Sequence, residues 1–259
     1  APNFTVAKIG SLGYTSLAAA ISAANSGDTI TLVSDVTLTE TLKINSDKVV
    51  ALDLNGYVVD GREKVRIAIM SYGDLTIKDS SDAKLGAVKA GIGTAGNTVN
   101  ICGGSFVLES GNIYSLNNAI LVDEESASVE IKGGTITAEP NTRNSAAMYI
   151  SSTSDTEVKI TGGSLIGYNG ILLWDNTSIE MTSGSIVAQG GVGIQGNGSK
   201  DNTEIAISGE AVISGYYAAI YHPQGGKLSI SGGQLSGWTG VVVKGGNVTI
   251  SGGSISGTG

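Results

Sequence analysis

Branched apolar residues alternate with polar ones along most of this chain, and the alternation repeatedly ends in glycine. Val129-Glu130-Ile131-Lys132-Gly133-Gly134 returns as Val158-Lys159-Ile160-Thr161-Gly162-Gly163, as Leu228-Ser229-Ile230-Ser231-Gly232-Gly233 and as Val248-Thr249-Ile250-Ser251-Gly252-Gly253. Val99-Asn100-Ile101-Cys102-Gly103-Gly104 reads as an earlier copy. Ile179-Glu180-Met181-Thr182-Ser183-Gly184 and Ile205-Ala206-Ile207-Ser208-Gly209-Glu210 read as degenerate ones. A period of two predicts a short strand with one buried face, and a glycine pair directly after it predicts a tight corner. The central positions Ile101, Ile131, Ile160, Met181, Ile207, Ile230 and Ile250 recur at steps of 20 to 30 residues. Such steps mark a solenoid, and the shortest are too short for a four-stranded propeller blade. One coil of a parallel β-helix, with three short strands and three turns, fits each step.

A second strand family aligns between the glycine corners: Ala119-Ile120-Leu121-Val122, Ala147-Met148-Tyr149-Ile150, Ile171-Leu172-Leu173-Trp174, Val192-Gly193-Ile194-Gln195, Ala219-Ile220-Tyr221-His222 and Val241-Val242-Val243-Lys244. Its first and third positions read as buried and its variable fourth as outward. A short third strand follows each corner, as in Gln234-Leu235 and Ser254-Ile255. The one helical pattern lies at about 15–26. Thr15 or Ser16 caps it, Leu17, Ala20, Ile21 and Ala24 share an apolar face, and Gly27 serves as its stop. Residues 1–27 therefore read as a cap over the open end of the solenoid, and 28–259 as roughly nine or ten coils of a single domain. Ser251–Gly259 opens another coil without a distinct terminal repeat, whereas terminal repeats normally differ in order to seal the core. The expectation is a piece of a longer protein, or an end that docks onto something.

Composition changes this picture little. The 39 glycines against three prolines suit a chain of corners. With 15 basic and 23 acidic residues the net charge is −8, which argues against nucleic acid as partner, because phosphate binding needs a basic stripe. No run approaches the roughly 18 apolar residues of a membrane-spanning helix. The single cysteine, Cys102, takes the slot of Lys132, Thr161 and Ser231 in this alignment and permits no internal disulfide.

Ala20-Ile21-Ser22-Ala23-Ala24-Asn25-Ser26-Gly27-Asp28-Thr29-Ile30-Thr31-Leu32, followed by Leu52-Asp53-Leu54-Asn55-Gly56, resembles the opening of bacterial cell-surface and secreted proteins of the right-handed parallel β-helix (pectate-lyase-like) superfamily. The resemblance continues through the repeats to the C-terminus. It implies a right-handed solenoid in an extracellular or bacterial cell-surface setting. It does not imply an activity, since that superfamily holds lyases, hydrolases, adhesins and plain stalks.

Stacked coils place equivalent residues in ladders about 4.8 Å apart. The outward column of the glycine-corner strand reads Thr76, Asn100, Glu130, Lys159, Glu180, Ala206, Ser229, Thr249. Glu130 and Glu180 fall two rungs apart, about 9–10 Å, near the roughly 6.5–9.5 Å separation of the acid and base in inverting glycosidases. A Glu-Lys-Glu charge ladder on a solvated face is the competing reading. Tyr168, Gln189, Tyr216 and Trp238 share the position before the second strand, and Trp174, Gln195, His222 and Lys244 its outward end. Aromatic faces with a few fixed polar groups are the usual makings of a binding site, so this surface is the candidate glycan site. Corner-shielding aromatics are the alternative. His222 has no evident catalytic partner in Tyr221 or Pro223, and one histidine with one cysteine makes zinc improbable. No cofactor is expected. Calcium, which takes oxygen ligands, has candidates in Asp123, Glu125, Asp155 and Asp175, which follow the second strand, although solvated acidic turns explain them as well. Asn197–Asn202 reads as a loop insertion.

The first functional expectation is a non-catalytic extracellular module of a bacterial surface protein that binds glycans or a host surface, in the manner of an adhesin. A polysaccharide lyase or glycoside hydrolase using Glu130 and Glu180 is the alternative, and a ligand-free structural spacer a third. Oligomeric state is not legible.

Overall fold

A computed structural model describes residues 4–91, 96–123, 126–139, 144–151, 154–197, 202–223 and 225–259. They form an all-β parallel solenoid of about nine turns. Each coil contributes one strand to each of three ladders. Sheet one runs from Asp28–Leu32 through Ala127–Ile131, Thr156–Ile160, Thr177–Met181 and Thr203–Ile207 to the first part of Asn247–Gly257. Sheet two takes the short strands after the corners, such as Thr135–Ala138, Ser164–Gly167 and Ser185–Ala188. Sheet three has nine parallel strands, from Leu42–Ile44 to Thr239–Val243.

Side chains of consecutive strand residues alternate between the two faces of a sheet, so each coil sends its branched residues inward in columns. Val129, Val158, Ile179 and Ile205 make one such column, and Ile136, Leu165, Ile186 and Ile213 another; all are buried. Phe106 is the largest fully buried side chain. The second glycine of a corner holds a left-handed backbone, as at Gly163 with φ +77°. The first glycine answers a different need. A Cβ at Gly162 would lie 2.2 Å from the Lys132 carbonyl oxygen of the preceding coil, so stacking, not torsion, excludes a side chain there.

The helix occupies Leu17–Ala23, with the Ser16 hydroxyl accepting from the Ala19 amide at 3.1 Å. Leu17, Ala20, Ile21 and Ala24 are buried as the pattern predicts, and the helix packs against Leu42–Ile44, the outermost strand of sheet three. Its end differs from expectation. The helix closes on Ala24 in extended conformation, and the Lys48 ammonium donates to the carbonyls of Ser22 and Ala24 at 3.1 and 2.6 Å. Gly27, at φ +89°, belongs to the turn into the first coil, where its amide donates to Val49. The first edge of sheet one is closed by a hairpin, Ala7–Ile9 with Leu12–Tyr14, whose first strand pairs antiparallel with Asp28–Leu32.

Two alignments shift in the folded chain. Val99-Asn100-Ile101 is not a glycine-corner strand. It pairs with Ile69–Ser71 and Ile120–Val122 in sheet three, and the sheet-one strand of that coil is Gly104–Leu108. Val107 therefore stands between Thr76 and Glu130 where Asn100 was expected, and Asn100 is buried. Cys102, also buried, lies at the end of sheet three and not in the slot of Lys132. The second family slips by one residue in three of its members. Ile120, Met148, Ile171, Ile194, Ile220 and Val241 are the true equivalents. In this register Leu121, Tyr149, Leu172, Gln195 and Tyr221 point outward, and the position after each is buried.

Candidate functional site

The corrected register divides the expected aromatic surface into three. Tyr168, Gln189, Tyr216 and Trp238 do share one position, each following the last residue of a sheet-two strand: Gly167, Ala188, Gly215 and Gly237. They form a ridge on the corner between sheets two and three. Tyr216 and Trp238 are exposed, and Tyr216 meets Tyr217 edge-on with ring centroids 4.9 Å apart. The Tyr168 ring lies over Gly190 of the next coil, where a Cβ would fall 2.4 Å from the ring, so this tyrosine shields its corner.

Trp174 sits on the opposite edge of sheet three, just after Asn169–Leu173. Its indole N–H donates to the Tyr149 hydroxyl of the preceding coil at 2.6 Å. Gln195 lies not beside it but in the outward column, between Leu172 and Tyr221.

His222 is the clear correction. It was expected at an outward end, yet it is completely buried, because Tyr221 before it points out and strand alternation turns the next residue in. Val243 is its neighbour on the following rung. Among the described residues neither ring nitrogen has a hydrogen-bond partner. Burial holds its pKa below the ordinary histidine value. The imidazole is a core group and does not face the site.

The corrected register also assembles a groove that the sequence reading missed. Tyr149, Leu172, Gln195 and Tyr221 form its floor, one per coil, in a hollow of about 570 Å³. Asn117, Asn118 and Asn144 stand on the side where the chain enters sheet three, and Trp174 and Asn197 on the side where it leaves. The Asn118 side-chain oxygen accepts from the Ala146 amide at 3.0 Å, so it is part of the stacking. Among the described residues the lining carries no charged side chain. The Lys244 ammonium lies 5.5 Å from the Tyr221 ring centroid at one end. The signal that finds this floor is the residue between the two inward positions of each sheet-three strand.

The carboxylate column stands on sheet one as expected. Glu130 pairs with Lys159 and Lys159 with Glu180, which puts the acids two rungs apart. Lys132 forms a 3.2 Å ion pair with Glu130. With Ser128, Glu157 and Ser178, the residues Glu130, Lys159 and Glu180 surround a shallow hollow of about 540 Å³. Each acid thus has a lysine beside it, an arrangement that neutralises the column. Asp123, Asp155 and Asp175 lie on the corner from sheet three to sheet one, but at different levels. Asp123 accepts from the Ser151 hydroxyl at 3.0 Å, and Asp155 directly precedes the strand Thr156–Ile160. Glu125 and residues 198–201 of the loop insertion fall outside the described residues. Among the described residues no three His, Cys, Asp or Glu side chains converge as a metal-ligand set. Among the described residues no helix is long and apolar enough to cross a membrane.

No family model, no curated protein and no solved structure matches the chain.

Proposed function

We propose that this solenoid is a non-catalytic binding module that takes glycans in the groove on sheet three. The observation that carries the reading is the groove's composition, in which Trp174, Tyr149 and Tyr221 stand among Asn117, Asn144, Gln195 and Asn197. Aromatic faces pack on the C–H faces of sugar rings, while amides both donate to and accept from hydroxyls. The inward columns supply a rigid frame, so the floor residues Tyr149, Leu172, Gln195 and Tyr221 are held on strands and not on loops. A bacterial surface or secreted setting is part of the proposal and rests on the resemblance of residues 20–32 and 52–56.

A glycan array tests it. Binding that is lost in Trp174→Ala supports the module, and silence across the array would leave a structural spacer. The sheet-one column supports a second, enzymatic reading because Glu130 and Glu180 do stand two rungs apart. Release of reducing ends or unsaturated uronates from a polysaccharide panel, lost in Glu130→Gln, would move the site to that face.

A further inference from the structure

We infer that the groove's ligand is an uncharged, extended glycan chain lying parallel to the solenoid axis, with Trp174 as its side platform and Tyr149 as the residue that positions the platform. This rests on the glycan-binding reading above and deepens it.

Direction follows from the floor. Tyr149, Leu172, Gln195 and Tyr221 come from four successive coils, and Asn117 precedes the strand of the coil before them. Five strands at the inter-strand spacing extend about 19 Å along the axis. Across the groove, a five-residue strand gives only about 13 Å, and amides and the indole wall both sides. A chain several sugar rings long is accommodated along the axis and not across it.

Neutrality follows from the donors. Asn117, Asn144, Gln195 and Asn197 can each donate and accept, which matches hydroxyl groups that do both. A carboxylate only accepts, and its desolvation calls for a cationic partner. Lys244, at one end of the groove, is a cation whose ammonium is already over the Tyr221 ring at 5.5 Å. The chain as a whole is acidic, with a net charge of −8, so the overall field disfavours a polyanion.

The platform follows from one hydrogen bond. Trp174 lies two residues beyond Leu172 and so shares its outward side. Its N–H is fixed to the Tyr149 hydroxyl at 2.6 Å, which ties the indole plane to the adjacent coil. Exposed aromatics pre-organised in this way are where binding energy concentrates.

The experiment is calorimetric titration with β-1,4-linked gluco-, xylo- and manno-oligosaccharides of increasing length, against oligogalacturonates of matched length. Expected results are an affinity that rises with length and then levels, uronates at least about ten-fold weaker, and a loss of about ten-fold or more in Trp174→Ala. Tyr149→Phe keeps the ring and removes the hydroxyl, so it should weaken binding several-fold with an unchanged melting temperature. Uronates that bind as tightly as neutral chains, or single sugars that bind as tightly as oligomers, would overturn the neutral, extended ligand and leave glycan binding standing. So would Trp174→Ala and Tyr149→Phe variants that bind like the parent. No binding by either class would overturn both.

Discussion

Asp79 offers a demanding test of how the early coils hold together. Its carboxylate is 1% exposed and accepts three backbone N–H groups: Gly56 at 2.8 Å and Ser81 at 3.0 Å on one oxygen, Gly86 at 2.6 Å on the other. Gly56 belongs to the previous coil, where Asn55 and Gly56 both hold left-handed backbones at φ +46° and +84°. Asp53 of that coil reaches the other way, to the Ser80 amide at 2.9 Å. Two aspartates thus brace successive corners where later coils use glycine pairs. Hydrogen bonds to a charged group contribute about 1.5–3 kcal/mol each, and an orphaned buried donor costs about 1–3 kcal/mol. Three such bonds near a corner that water can enter once opened give a net loss of about 3–5 kcal/mol for Asp79→Ala. Asp79→Asn should recover only part of this, since its Oδ1 can still accept from Gly56 and Ser81 while its NH2 would face the Gly86 N–H. Burial pushes the Asp79 pKa up, but Ser81, Gly86 and Gly56 outweigh it and leave it below the ordinary value. The stabilisation is therefore complete above the unfolded pKa of about 3.9 and is lost as pH falls through the lower folded value. Guanidinium denaturation followed by circular dichroism reads the global effect. Amide exchange at Gly56, Ser81 and Gly86 reads the local one, which matters because a solenoid can open coil by coil. A stability change under about 1 kcal/mol, with those amides still protected, would refute the bracing role.

Two further outcomes follow from the core. Gly163→Ala places a Cβ 2.8 Å from the Gly133 carbonyl oxygen at φ +77°; left-handed strain alone costs about 1–2 kcal/mol, so a denaturation midpoint equal to the parent's would contradict this account of the corner. His222 is the only histidine, and its pKa is lowered by burial; stability should be complete above the unfolded value of about 6.5, fall as pH drops from there toward the folded pKa, and become flat across that range in His222→Leu. A parent whose midpoint is the same at neutral and mildly acidic pH would refute it.

The inward chemistry was legible wherever polar residues separate the apolar ones. Val129-Glu130-Ile131 and Val158-Lys159-Ile160 admit one phase only, and the folded chain adopts it. Sheet three was not legible in the same way. Ile171-Leu172-Leu173 and Val241-Val242-Val243 are apolar at three consecutive positions, so their period-two phase is hidden, and a slip of one residue exchanges the two faces. That slip is what placed His222 outside and left Tyr149 and Tyr221 unnoticed. Val99-Asn100-Ile101-Cys102-Gly103-Gly104 misleads for a related reason. Its glycines turn the chain from sheet three into sheet one, with Gly104 at φ +67°, yet the phrase looks the same as one that leaves sheet one. The amide walls were hidden differently, since Asn117, Asn144 and Asn197 come from connections of unequal length and form no column.

Parallel, in-register stacking also limits where charge can sit. Like charges one rung apart repel by about 0.9 kcal/mol even at the dielectric of water, and each further like rung adds to it. A charged ladder must then alternate in sign or be diluted by neutral residues. The column Glu130, Lys159, Glu180, Ala206 does the first and then the second, and its neighbour Glu157, Ser178, Glu204, Lys227 does both. Alternating acids and lysines are what a stable parallel face requires whatever its function, which is why the two-rung separation of Glu130 and Glu180 weighs little toward catalysis. The same constraint gives the uncharged column of sheet three its meaning. Tyr149, Leu172, Gln195 and Tyr221 can stack in any order without electrostatic penalty, so the identity of each rung is free to answer to a ligand that spans several of them.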